Sequence, residues 1–140
     1  MGNAIAGQLV RRAHAELDQI GSVSDERTAF LHAHMAALRA AAAVLALTPA
    51  VASRTRRRRR AVLSVWEQLA EAGPQWESWA DFFAAGAPIR AAIDSDREVD
   101  LDRDQLGSTL ATATDFVALV TERVALQDAP APGSLAALAS

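Results

Sequence analysis

Nine of the nineteen residues from Ala29 to Leu47 are alanine, and that stretch constrains the fold more than any other. Alanine loses no side-chain entropy on entering a helix, so the segment is strongly helical. Its side chains are too small to span a wide gap, which implies neighbouring helices packed close. Phe30, His34, Leu38, Ala41 and Leu45 recur along one side, and Leu31, Met35, Ala42 and Ala46 broaden the apolar face. Asp25 and Glu26 suit the positive end of this helix, with Ser24 as its predicted N-cap. Pro49 ends it, because proline clashes with a continuing helix and has no amide hydrogen.

The flanking segments are helical by the same periodicity. Ile5, Leu9, Ala13, Leu17 and Ile20 form the stripe of a first helix over 3–20. Val62, Val65, Trp66, Leu69 and Ala72 mark the buried side of a third, closed by Gly73-Pro74. A fourth over about 75–85 carries Trp76, Trp79, Phe82 and Phe83, a wedge of rings for which the alanine-rich helix leaves room. Gly86 and Pro88 are predicted to break that helix, leaving 89–93 one further turn. Ser95 and Glu98 make a candidate capping box for a last long helix. Its face holds Val99, Leu106, Leu110, Ala113, Val117, Val120 and Val124, broadened by Phe116 and Leu119. The expected architecture is all-α, a four- or five-helix up-and-down bundle over residues 1–127 with a flexible tail over 128–140. The broad apolar face of the second helix suggests a homodimer.

Charge is unevenly divided. The net charge is −3, yet the run RTRRRRR carries six of the fourteen basic residues, Arg54 and Arg56, Arg57, Arg58, Arg59 and Arg60. Without it eight arginines face seventeen acids. Guanidinium groups bind phosphate bidentately, so the run points to RNA, DNA or another polyanion. The plainer reading is a solvated basic segment that meets the acids between 94 and 104.

Other chemistries are narrowed by what the chain lacks. It has no cysteine, which removes disulfides, thiolate catalysis and thiolate metal sites. Asp94, Asp96, Glu98, Asp100, Asp102 and Asp104 alternate like calcium ligands, but an EF-hand loop needs glycine where Val99 or Gln105 stands. No metal or cofactor is expected. The N-terminus lacks the basic start of an export signal, and the apolar run over 40–47 is shorter than a bilayer span. A cytoplasmic protein without a membrane partner is the expectation.

Arg27 precedes His32 and His34 on one helix. Histidine can act as acid or base near neutral pH and arginine can hold phosphate, the outline of phosphodiester cleavage. Arg27 and His34, seven apart, share a helix face; Arg27 and His32 do so less well. A capping arginine and a packed histidine are the plainer reading.

The run from His32 to Leu47, the arginine cluster, W66-E-Q-L69 and W79-A-D-F-F-A-A-G-A87 together resemble an alanine- and arginine-rich actinobacterial branch of the HEPN superfamily. The resemblance covers about residues 10–125. It implies a helical bundle, commonly dimeric, and in many members a metal-independent ribonuclease with an Arg, four to six residues, then His. Others have lost that motif and serve as binding or accessory domains. Arg27 with His32 or His34 matches the spacing but lies early in the bundle, and no histidine follows His34. The expected function is therefore noncatalytic binding of nucleic acid or another phosphate-rich partner through the arginine run. The alternatives are a ribonuclease using Arg27 and His34, and a protein-interaction adaptor.

Overall fold

The computed structural model describes residues 2–23, 25–48 and 64–128. They form an all-α, five-helix up-and-down bundle: α1 Gly2–Ile20, α2 Glu26–Ala46, α3 Val65–Glu71, α4 Glu77–Asp94 and α5 Arg103–Asp128. A 3-10 turn, Pro74–Trp76, joins α3 to α4. All of the predicted tail but Asp128, which ends α5, and the whole arginine run lie outside the described residues.

The alanine-rich segment is the centre of the bundle. Ten residues of α2 are buried, and Ala33, Ala36, Ala37, Ala40, Ala41 and Ala43 have no exposed surface. Its 21 residues and mean hydropathy of 1.4 would suit a bilayer span, yet more than half of its most apolar stretch is buried by the other helices. It serves here as the core helix. Asp25 caps it: one carboxylate oxygen accepts from the Arg27 amide at 3.2 Å and the other from the Thr28 hydroxyl at 2.8 Å. Those bonds, the Thr28 hydroxyl first, hold the Asp25 carboxyl below its ordinary pKa. The cap is one residue later than Ser24, which lies outside the described residues.

α1 comes close to α2 because both faces are small. Ala6, Val10 and Ala13 are its buried residues, while Ile5 is 51% exposed. The apolar stripe is thus turned from the predicted Ile5–Leu9 line at its start. At the helix start, a Cβ on Gly2 would come within 2.7 Å of the Ala46 carbonyl oxygen, so α1 begins against the end of α2. Polar contacts also tie α1 inward. His32 Nδ1 donates to Glu16 at 2.7 Å, and Arg39 approaches the other Glu16 oxygen at 3.7 Å.

The rings form a connected wedge. Trp66 of α3 stacks on Phe83 of α4 at 5.2 Å, and Phe83 meets Phe116 of α5 at 5.5 Å. Trp79 also reaches Phe116, at 5.2 Å. Burying a ring of this size contributes about 1.5–3 kcal/mol.

Two predicted boundaries move. Pro88 lies inside α4, which runs unbroken to Asp94. Proline removes one ladder bond there, but the surrounding packing outweighs that loss: Gly86 sits against Phe30 and His34. The predicted capping box at Ser95 and Glu98 is absent, because Ser95 ends α4 rather than opening α5. Asp96 adopts a left-handed φ of 54°, and the Asp96 and Arg97 amides donate to Ile93 and Ala92 at 3.0 and 2.8 Å. That pair of bonds is a Schellman ending. Asp102 caps α5 instead, accepting from the Asp104 amide at 3.0 Å.

Candidate functional site

His34 projects from α2 into the aromatic wedge and is 1% exposed. Phe30 stacks on it at 5.9 Å, and Trp66 and Phe83 meet it edge-on at 5.6 and 6.2 Å. Its Nε2 lies 3.0 Å from the Phe83 carbonyl oxygen. A carbonyl only accepts, so Nε2 carries the hydrogen. In a neutral ring Nδ1 is then a bare lone pair, and no hydrogen bond reaches it among the described residues. Burial is the main cause of a depressed His34 pKa, opposed by the Phe83 bond and reinforced by Arg90. The imidazole is therefore a neutral acceptor.

Arg90 and Asp94 stand four apart on α4 and face the same recess. With His34 they line a cleft of about 290 Å³ whose walls include Leu38, Val65, Trp66 and Ala87. Asp94 Oδ2 is 3.5 Å from Arg90 Nε, an ion-pair contact whose geometry falls short of a hydrogen bond. The buried Nε–H thus has no acceptor among the described residues. Beside the cleft, one acceptor and one donor are thus buried without a hydrogen bond among the described residues. Such atoms are uncommon in folded proteins, since leaving a buried polar group unpaired costs about 1–3 kcal/mol.

Ser64 lines the same cleft and fixes its α3 wall. Its hydroxyl oxygen accepts from the Glu67 amide at 3.1 Å, while Glu67 accepts from the Ser64 amide at 3.3 Å. This capping box starts α3 and so places Trp66. In sequence, Arg60 stands four residues before Ser64. The site residues Arg54 and Arg56 to Arg60 themselves lie outside the described residues.

The structure does not bring Arg27 to His34. Arg27 Nη2 donates to the Arg97 carbonyl at 2.9 Å and borders a separate open recess with Glu98, Val99 and Asp100. His32 is held on the α1 side by Glu16. His14 joins α1 to α5: the Thr121 hydroxyl donates to Val117 at 2.6 Å, so its oxygen accepts from His14 Nε2 at 2.9 Å. Among the described residues no three His, Asp or Glu side chains converge as metal ligands. Arg90 escapes sequence reasoning because it is an ordinary helix arginine until the fold sets it beside His34.

The profile of SAV_6107-like HEPN domains matches residues 21–121, which includes every residue of the cleft. No curated protein and no solved structure gives a match.

Proposed function

The chain belongs to the SAV_6107-like HEPN family, and from that premise we propose that it contacts RNA or DNA through an Arg/His pair, Arg90 with His34. The observation that carries the reading is that Arg90 and His34 line one cleft whose Ser64 wall follows the arginine run by four residues in sequence. The arginine run beside it in sequence supplies phosphate contacts. Its concentrated positive charge makes that part of the affinity fall with salt. We place the chain in the alanine- and arginine-rich actinobacterial branch and in the cytoplasm on the sequence argument.

The test is binding of the full chain to end-labelled single-stranded RNA and duplex DNA at two salt concentrations with EDTA present, reading mobility and strand length together. Arg90→Gln should weaken binding at both salts. Replacing Arg56 to Arg60 by glutamine should remove most of the salt dependence. Binding untouched by either change would refute the reading.

A second reading is metal-independent ribonuclease chemistry, favoured by the neutral His34 ring with its free lone pair. Nδ1 would take the 2′-hydroxyl proton, O2′ would attack the adjacent phosphorus, and the P–O5′ bond would break to leave a 2′,3′-cyclic phosphate. The departing O5′ would take a proton from water or the imidazolium, with Arg90 facing the developing charge. Shortened RNA in EDTA that stays whole with His34→Gln would establish cleavage. Salt-insensitive capture of a protein, with no nucleic-acid binding, would favour the adaptor role.

A further inference from the structure

Arg27 shares its recess with Glu98 and Asp100, and Arg90 shares the cleft with Asp94. A third recess, at the far end of α3, holds Arg123 with no Asp or Glu among its described lining residues. Arg39, Arg90 and Arg103 each approach a carboxylate, at 3.7, 3.5 and 3.6 Å. Arg123 makes no ion pair or hydrogen bond among the described residues, and its contact is the face of Trp76, 5.4 Å from the ring centroid. That ring is 3% exposed and meets Phe116 edge-on at 6.1 Å. Phe116 and Arg123 stand seven apart on one face of α5, so the platform under the guanidinium is fixed by the helix that carries it. A guanidinium lying over a ring keeps the N–H donors of its edge for other acceptors.

The neighbours of Arg123 add donors. Gln75 and Gln127 bring side-chain amides to the same recess. Gly73 leaves the space for the first, since a Cβ there would collide with Gln75 Oε1. The end of α2 that closes the recess is already satisfied. The Leu47 and Thr48 amides and the Thr48 hydroxyl donate to the carbonyls of Ala43, Val44 and Leu45.

We infer that this recess is a phosphate subsite, with Arg123 supplying the charge and Gln75 and Gln127 neutral donors. A phosphate carries acceptors only, which suits a guanidinium and two amides with no carboxylate beside them. It offers three oxygens to donors that arrive from the 3-10 turn and from α5, where a carboxylate offers two. At about 100 Å³ the recess holds one small oxyanion and is far below the roughly 300–1,000 Å³ of pockets for larger organic ligands. Its place in the fold links it to the cleft. α3 opens at the cleft with Ser64 and closes in the recess with Ala72, about 12 Å along the helix axis. A strand held at Arg90 reaches Arg123 over that span, and in this role the subsite rests on the nucleic-acid reading. The same chemistry takes inorganic phosphate or a phosphomonoester.

The chain's three tryptophans make the experiment local. Full-length protein with ¹⁵N-labelled tryptophan is titrated with inorganic phosphate, sodium chloride holding the ionic strength constant, while the indole N–H resonances are followed. Trp66→Phe and Trp79→Phe assign them. Phosphate should move the Trp76 resonance saturably and leave Trp66 and Trp79 in place. Arg123→Gln should weaken phosphate about tenfold or more, with the Trp66 and Trp79 resonances reporting that the fold is kept. Gln75→Ala, which leaves the charge alone, should weaken it about threefold. No saturable movement, an equal movement with chloride alone, or a phosphate affinity indifferent to Arg123→Gln would overturn the inference.

Single-stranded RNA separates the sources and the two readings. If RNA moves Trp76, phosphate competes with it and Arg123→Gln weakens it, the subsite takes the strand backbone. If phosphate titrates as expected but RNA is indifferent to Arg123→Gln, the subsite stands and its source is a free phosphate or phosphomonoester. If phosphate leaves Trp76 still while RNA binding depends on Arg90, the subsite fails and the nucleic-acid reading stands. If phosphate binds and RNA does not, only the nucleic-acid reading fails.

Discussion

His34 should give this fold an acid weakness that one substitution removes. The ring is 1% exposed and its charged form is disfavoured chiefly by burial, so the folded pKa lies below the ordinary 6.5. In the unfolded chain the same imidazole titrates near 6.5. Between the depressed folded value and 6.5, the unfolded state binds more protons than the folded one. Stability therefore rises with pH through that window; the full contribution is present above about 6.5 and is lost as pH falls toward the folded pKa. One proton sets a limiting slope of about 1.36 kcal/mol per pH unit. The assay is urea unfolding of the full chain in half-unit steps from pH 7.5 to 5. Replacing His34 by leucine removes the titrating group and leaves an apolar side chain in the ring wedge. The wild-type-minus-variant difference in unfolding free energy should therefore fall as pH drops below 6.5. A difference independent of pH across the range would refute the reasoning, since it would mean His34 titrates alike in both states.

Three further substitutions probe the frame around the cleft. Phe83→Ala removes the ring shared by Trp66, Phe116 and His34 and should cost about 3–5 kcal/mol in urea unfolding. Ser64→Ala breaks the capping box that starts α3 and should cost about 1 kcal/mol, with Trp66 fluorescence reporting any displacement of that wall. Asp96→Gly relieves a left-handed φ of 54° at the end of α4 and should raise the thermal midpoint, with a gain on the order of 1 kcal/mol.

The helices were legible wherever periodicity and composition agreed. Alanine at 33, 36, 37, 40, 41 and 43 announces a close-packed central helix, and those six residues are fully buried. The ring wedge is equally visible from Trp76, Trp79, Phe82 and Phe83. Breaker signals failed where tertiary contacts outweighed them: Pro88 sits within α4, next to a Gly86 that packs on Phe30 and His34. Ser95 and Glu98 spell a capping box, but Ser95 is taken up in the left-handed ending of α4 at Asp96, and the start passes to Asp102. The cleft itself was only half legible. His34 stood out by residue type, whereas its arginine partner lies 56 positions away on α4, beyond the reach of local spacing. Arg27 was the visible partner, and its Nη2 donates instead to the Arg97 carbonyl.

The lack of bulk on α2 has a consequence for how this sequence can vary. With six fully buried alanines on the central helix, each added methyl group has to be accommodated by moving a neighbouring helix rather than by turning a side chain. Substitution there has no cheap direction, since glycine weakens the helix by about 1 kcal/mol and serine adds a buried hydroxyl, whereas the outer helices can exchange bulk among themselves. His34 grows from the element with the least freedom to drift. Its position is inherited from the spacing of the whole bundle, so a cleft tuned on α3 or α4 always works against the same fixed nitrogen.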